Sequence, residues 1–167
     1  RTSLSAPVQM LIRHELLTLE RSFFDYGCGR GSDLEALQTA GFSIAGWDPH
    51  YRQAAPLSEA DVVNLGFVVH VIDDPAERVE AIQRAFKLAK GVLAVGVMLR
   101  SAADGGGIPF ADGILTSRNT FQKYFTQEEL RSYLEDVLSR PVHMVGPGIA
   151  FVFASDEWQQ RFEASRY

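Results

Sequence analysis

The stretch that most limits how this chain can fold is 22–48. An apolar run, Ser22-Phe23-Phe24-Asp25-Tyr26, empties into Gly27-Cys28-Gly29-Arg30-Gly31, with a glycine at every second position, before helix-forming sequence resumes. Strand, glycine loop and helix in that order make a βα unit, and the glycines let the backbone turn tightly and approach a ligand closely. Ser32 and Glu35 are spaced as a capping box to open the helix, and Gly41 closes it. A second strand, Ser43–Trp47, then ends on Asp48.

The same alternation continues downstream. A first helix is expected after Ser5, with Pro7 in its first turn and Val8, Leu11, Ile12 and Leu16 on one face. A buried strand is expected over 61–69, and Asp74, Pro75 and Glu77 start a helix whose apolar side is Val79, Ile82, Phe86 and Ala89. Another buried strand spans 91–99. Segment 100–120, with Gly105, Gly106 and Gly107, reads as a flexible loop that predicts a lid. Thr126 and Glu129 form a second capping box before a helix that buries Leu130, Tyr133, Leu134 and Val137. Strands over 142–145 and 149–154, turned by Gly146, Pro147 and Gly148, close the chain. Alternating βα units with buried strands predict an α/β, mostly parallel sheet covered on both faces, with an antiparallel hairpin at one edge.

Composition narrows the class. At 167 residues, 46% hydrophobic and 22% charged, the chain fits one globular domain, 1–167. No apolar run approaches the ~18 residues that span a bilayer, and no leader pattern opens the chain, so a soluble, cytoplasmic location is expected. The single cysteine, Cys28, excludes an intrachain disulfide and a multi-thiolate metal site, and no metal is expected. A net charge of -5 argues against broad contact with a DNA backbone. The chain begins with Arg1, so a longer parent with further domains is expected.

The chemistry lies in the glycine loop and two acids. The spacing is G-x-G-x-G, whereas the dinucleotide fingerprint is G-x-G-x-x-G. Asp25, just before the loop, would repel a pyrophosphate and welcome an ammonium group, while an acid at the end of the second strand, Asp48, accepts hydrogen bonds from ribose hydroxyls. An ammonium and a ribose on one ligand describe S-adenosylmethionine. A nicotinamide-dependent oxidoreductase is disfavoured by the same features.

Asp25-Tyr26-Gly27-Cys28-Gly29-Arg30-Gly31 followed by Asp48 resembles the class I S-adenosylmethionine-dependent methyltransferases. Val68-Val69-His70-Val71-Ile72-Asp73-Asp74-Pro75 is similar to the segment after their fourth strand. More narrowly, Phe24 to Gly31, Gly46-Trp47-Asp48-Pro49, Asp61-Val62-Val63-Asn64-Leu65-Gly66 and Thr120-Phe121-Gln122-Lys123-Tyr124-Phe125-Thr126 resemble the methyltransferases associated with DNA phosphorothioation. The resemblance implies a Rossmann-like fold, bound S-adenosylmethionine and a link to DNA modification. The cofactor set it implies is Asp25, Gly27, Cys28, Gly29, Gly31, Asp48, Pro49, Asn64 and Gly66.

One departure is visible. The class I fold places a helix and a strand between its second and fourth strands, yet only thirteen positions separate Asp48 from Asp61. The sheet is therefore expected to be abbreviated there, with an adenine pocket either open or completed by Pro49, His50 and Tyr51. Cys28 reads as a small filler within the loop, since no Pro-Cys dipeptide supports a nucleophile. Gly66-Phe67-Val68-Val69 stands where amino-methylating DNA enzymes carry an Asn/Asp/Ser-Pro-Pro-aromatic motif, which disfavours that reaction.

Ligands of open α/β sheets bind at the carboxyl ends of the strands, so the acceptor side is expected at His70 and Arg100 and at the neighbouring stretch Phe121, Gln122, Lys123 and Tyr124. His70, Lys123 and Tyr124 are the candidate catalytic groups; Arg100, Phe121 and Gln122 the candidate substrate contacts. His70 could equally be a core histidine, and Phe121 and Phe125 core aromatics. The leading expectation is methyl transfer to an acceptor such as a nucleotide or nucleic acid. The alternative is a catalytically silent S-adenosylmethionine or nucleoside-binding module within a larger DNA-modification protein.

Overall fold

Phe23, Val62, Val92 and Ala94 face one side of a sheet, while Phe24, Val63, Leu93 and Val95 face the other. This period of two, apolar on both faces, is what a strand buried on both sides requires. The computed structural model describes residues 3–99 and 107–166. In chain order the elements are α1 (Ala6–Arg13), β1 (Ser22–Tyr26), α2 (Ser32–Thr39), β2 (Ser43–Trp47), β3 (Ala60–Gly66), a 3-10 turn (Val69–Val71), α3 (Pro75–Leu88) and β4 (Ala89–Gly96). They are followed by β5 (Ile108–Phe110), β6 (Gly113–Leu115), β7 (Phe121–Gln122), α4 (Gln127–Leu138), β8 (Val142–Gly146), β9 (Ile149–Phe153) and α5 (Asp156–Ser165).

The main sheet has six strands in the order β2-β1-β3-β4-β9-β8. The first four are parallel, β9 pairs antiparallel with both β4 and β8, and so the Rossmann-like sheet carries its antiparallel pairing at one edge as expected. Helices α3 and α4 cover one face through Ile82, Ala85, Leu130 and Leu134. Helices α1, α2 and α5 cover the other through Leu11, Leu34, Leu37 and Phe162. The abbreviation is real: 48–59 holds turns and a single bridge between Asp48 and Arg52, with no helix or strand.

Several local expectations are corrected. Gly31, in a left-handed conformation, is the N-cap of α2, and Ser32 is already its first residue, so no side-chain capping box forms there. The box at Thr126 and Glu129 does form, with both reciprocal bonds at 3.1 Å. α1 stops at Arg13, and Leu16 is buried in the turn beyond it. The third strand ends at Gly66 because the chain coils into the 3-10 turn. The described part of the expected loop, 107–120, is ordered into the antiparallel set β5-β6-β7; Arg100, Gly105 and Gly106 lie outside the described residues. Helix α5 was not anticipated.

The hairpin is fastened by a charged residue that shares the buried face of α3 with Ile82 and Ala85. Arg78 is 1% exposed. Its guanidinium donates to both carboxylate oxygens of Asp112, at 2.7 and 3.1 Å, and twice to the Ile72 carbonyl, at 3.2 and 2.6 Å. The planar fork of arginine is suited to this bidentate pairing. Asp112 sits in the β5–β6 turn and Ile72 at the start of the α3 lead-in, so one buried cation joins the small sheet to the main one.

Candidate functional site

The glycine loop folds back onto the end of β2. The Gly27 and Cys28 amides both donate to the Trp47 carbonyl, at 2.7 and 3.0 Å. Gly27 has φ +86°, and a Cβ there would lie 2.5 Å from Val68 Cγ2, so a side chain would strain the backbone and collide with the segment after β3. Gly29 has φ +58°, but a Cβ there would meet nothing within 4 Å. The space above Gly29 is open, as close approach of a ligand to the backbone requires.

Asp48 braces this loop. Its Oδ2 accepts from the Gly29 amide at 2.7 Å, and its Oδ1 accepts from the His50 and Tyr51 amides at 2.9 and 3.1 Å. Burial opposes its ionisation, yet the three amide donors outweigh that and hold the carboxyl below the usual range. An ionised carboxylate offers about four acceptor positions, so roughly one remains for a ligand hydroxyl.

A cleft of about 590 Å³ opens at the carboxyl ends of β1, β2 and β3. Of the expected cofactor residues, Gly27, Gly29, Asp48 and Pro49 line it, and His50 joins them. The exposed Tyr51 does not; its ring faces Arg30 at 5.3 Å instead. Apolar wall is supplied by Trp47, Phe67, Val68 and Val71, and further carboxylates by Asp73 and Glu77. No lysine or arginine is among the described lining residues.

The other expected cofactor residues stand behind the cleft. Asp25 is buried and accepts from Asn64 Nδ2 at 3.2 Å. That bond fixes the Asn64 amide, because the reverse orientation would set its oxygen against the carboxylate, and it leaves Asn64 Oδ1 buried without a partner. Gly66 packs against the same amide. Gly31 lies under the Arg52 guanidinium. Cys28 packs with the α2 side of the core, and burial, then the Asp25 charge, pushes its thiol up to about 11, which suits a filler.

The described acceptor-side candidates His70, Phe121, Gln122, Lys123 and Tyr124 are not among the lining of this cleft. His70 is 4% exposed in the 3-10 turn, its Nδ1 has no partner, and burial pulls its pKa down to about 4. Its flanking residues Val68, Val71 and Ile72 line the cleft, whereas His70 itself is buried outside the lining with its ring edge-on to Phe67. Lys123 turns to Asp112, with Nζ 3.3 Å from the carbonyl and 3.8 Å from Oδ2, and borders a separate shallow pocket with Phe125, Glu129 and Tyr133. Phe121 is buried against Phe110 and beneath Arg78, Gln122 pairs with Ile114, and Tyr124 is half-buried outside the cleft lining. The reason is the hairpin: β7 docks on the 3-10 turn, where the Lys123 amide donates to the His70 carbonyl at 2.7 Å, and so the whole stretch follows the small sheet. Arg100 lies outside the described residues.

Sequence reasoning missed Phe67, Val71, Asp73 and Glu77. The available signal was position alone, immediately after the last glycine of β3 at a carboxyl end. Among the described residues no group of His, Cys, Asp and Glu could hold a metal ion, and no helix is long and apolar enough to cross a membrane.

Comparison with solved structures finds the same fold in many methyltransferases. The 1,6-didemethyltoxoflavin N1-methyltransferase of Burkholderia thailandensis, solved with 1,6-didemethyltoxoflavin and S-adenosylhomocysteine, superposes with a TM-score of 0.65 at 15% identity, over 90% of this chain and 77% of that one. The sugar N-methyltransferase KedS8 of Streptoalloteichus sp. ATCC 53650 gives 0.60 at 13% identity, over 88% and 84%. The magnesium protoporphyrin IX methyltransferase of Synechocystis PCC 6803, solved with S-adenosylhomocysteine, gives 0.59 at 18%, over 89% and 80%. No curated protein sequence matches the chain. The model of the methyltransferase domain family matches residues 8–137, which take in the glycine loop, Asp48 and every element from β1 to α3 and β4, and the chain belongs to that family.

Proposed function

We propose that this chain is an S-adenosylmethionine-dependent methyltransferase domain holding its cofactor in the 590 Å³ cleft. The observation that carries the reading is the pairing of open space above Gly29 with a buried carboxylate, Asp48, directly behind that residue's amide. Asp48 takes one ribose hydroxyl with its remaining acceptor position. Trp47, Pro49 and His50 wall the adenine at the β2 end, where the abbreviated segment leaves the pocket open. Asp25 and the unpartnered Asn64 Oδ1, buried behind the cleft, set acceptors at the amino-acid end, and the carboxylates of the lining favour a cation.

When bound, S-adenosylmethionine supplies a methyl group on a sulfonium: the carbon–sulfur bond breaks with its electron pair left on sulfur, and the acceptor's lone pair forms the new bond. The chain's contribution is to hold acceptor and methyl in line, which alone can account for much of the acceleration. With Asp48 committed to the loop amides and the ribose, His50, Asp73 and Glu77 are the other described lining groups able to take a proton from the acceptor.

A nucleotide or DNA acceptor, the reading tied to the phosphorothioation-associated resemblance, rests on sequence segments alone, and the described lining offers a phosphate no cation. A silent S-adenosylmethionine-binding module is the second reading. It is favoured by one observation, that His70 and Lys123 both lie outside the cleft lining.

Isothermal titration of the full chain with S-adenosylmethionine and S-adenosylhomocysteine tests the site. Both should bind, and Gly29→Val should bind neither. Absence of binding to the unaltered chain would remove the reading. Transfer of a tritiated methyl from the bound cofactor into a small-molecule extract then separates enzyme from silent module.

A further inference from the structure

Phe67 is held in an unusual state. It has φ +60°, a left-handed conformation that bulky L-residues seldom adopt, and its amide is tied to the Gly96 carbonyl at 2.7 Å. Packing does not account for this, because the side chain is 40% exposed. Among the described residues its aromatic contact is His70, edge-on at 6.3 Å and 87°. Glycine or asparagine would take the same backbone more easily. A ring kept at a strained position and half in solvent, in the wall of the candidate site, is the pattern expected where strain persists for function.

Its surroundings indicate what that ring could receive. The register of β3 on β4 sets Gly66 beside Gly96, and the Phe67 amide donates to the Gly96 carbonyl, so Phe67 stands where the two strands end. Met98 is 50% exposed and Val71 45%. The rim at these two strand ends is therefore apolar. Charge on the lining comes from Asp48, Asp73 and Glu77, with no described lysine or arginine to answer it. Arg78 is engaged by Asp112 and the Ile72 carbonyl and Lys123 by Asp112, while Arg52 lies over Gly31 and is not part of the lining.

We infer that Phe67 is the acceptor platform: its ring stacks on a planar aromatic methyl acceptor that is uncharged or cationic, at the ends of β3 and β4, and selects against phosphate-bearing acceptors. The inference rests on the methyltransferase reading of the cleft. Aromatic faces pair well with flat rings and with cations, whereas an anion would meet carboxylates.

The test uses the full chain saturated with S-adenosylhomocysteine, with tryptamine as cationic probe, 2-naphthol as neutral probe and AMP as the phosphate-bearing planar probe. Tryptamine and 2-naphthol should bind, and AMP should bind at least about tenfold more weakly. Phe67→Asn should weaken both aromatic probes by about fivefold or more, lower S-adenosylhomocysteine affinity by clearly less than that, and leave the thermal midpoint unchanged or higher because asparagine relieves the backbone. Phe67→Leu should lose the probes in the same way, and Phe67→Tyr should retain them. Failure of either aromatic probe to bind, equal binding of AMP and tryptamine, or unchanged probe affinity in Phe67→Asn overturns the inference. So does a matching loss of S-adenosylhomocysteine affinity, which would assign the ring to the cofactor. If the unaltered chain does not bind S-adenosylhomocysteine at all, the methyltransferase reading itself falls and this inference with it.

Discussion

Replacing Asp48 by Asn keeps the shape of the side chain and removes both its charge and one acceptor oxygen. The carboxylate uses Oδ2 for the Gly29 amide at 2.7 Å and Oδ1 for the His50 and Tyr51 amides at 2.9 and 3.1 Å. A carboxamide must abandon one of these sides and set an N–H against an N–H there. The smaller loss is the single bond from Gly29, and a hydrogen bond to a charged acceptor contributes about 1.5 to 3 kcal/mol. For a domain of this size each kcal/mol moves the midpoint by roughly 2 to 4 °C, so Asp48→Asn should melt roughly 3 to 12 °C lower even without ligand. The loss should also depend on pH with a defined sign. The folded carboxyl titrates below its unfolded value, so its stabilisation is whole above about pH 4 and fades as the pH falls through the folded value. Asn does not titrate. Urea denaturation of both proteins between pH 7 and pH 3 should therefore show a gap that narrows in acid. A gap that stays constant across that range, or one under about 0.5 kcal/mol at pH 7, would refute the view that this carboxylate braces the loop.

Three further outcomes are expected. Asp112→Ala strands the Arg78 guanidinium with only the Ile72 carbonyl; breaking a fully buried pair costs about 3 to 5 kcal/mol, and the partial exposure of Asp112 should reduce this to about 2 to 3, read by urea denaturation, with the β5–β6 amides losing hydrogen-exchange protection first. Gly29→Ala should cost only about 1 kcal/mol of stability through its left-handed backbone, since the added methyl meets open space, yet titration with S-adenosylhomocysteine should show binding lost. Cys28, with its thiol raised to about 11, should react with iodoacetamide at pH 7.5 about a hundredfold more slowly than a free thiol, and faster reaction would mean that the loop opens.

The parts of the fold that were legible are those written in local pattern. The near-continuous apolar runs of β3 and β4, the Thr126 box and the run of strand, glycines and helix each encode their geometry in adjacent residues. The shortness of 48–61 showed that a helix and strand were missing, because covalent length allows no other reading. Arg78 was not legible: a charged residue on a helix reads as solvent-facing, and its partner lies in a hairpin 34 positions away. The bracing of Asp48 was hidden for a different reason, since all three of its donors are backbone amides and leave no side-chain signature. Lys123 and Tyr124 were set on the acceptor side by the rule that places ligands at strand ends. That rule holds for residues on the main sheet, and these follow β7 of the small sheet. Phe67 was quoted only as a departure from a motif, because a left-handed backbone is invisible in a sequence unless glycine or asparagine occupies it.

The missing helix and strand leave β2 as the last strand of the main sheet, so the outward N–H and C=O groups of Ser43–Trp47 find no further strand among those described. A bare sheet margin is a template on which a second chain can zip up, the first step of ordered aggregation. Here the margin is only five residues long, and the Asp48–Arg52 bridge folds the chain back at its carboxyl end. Exposed Ser43 and Ala45 also give a stacking chain little to grip. Brevity and small side chains thus guard the solubility of a sheet from which the outer strand has been removed, and lengthening or greasing β2 by design would remove that guard.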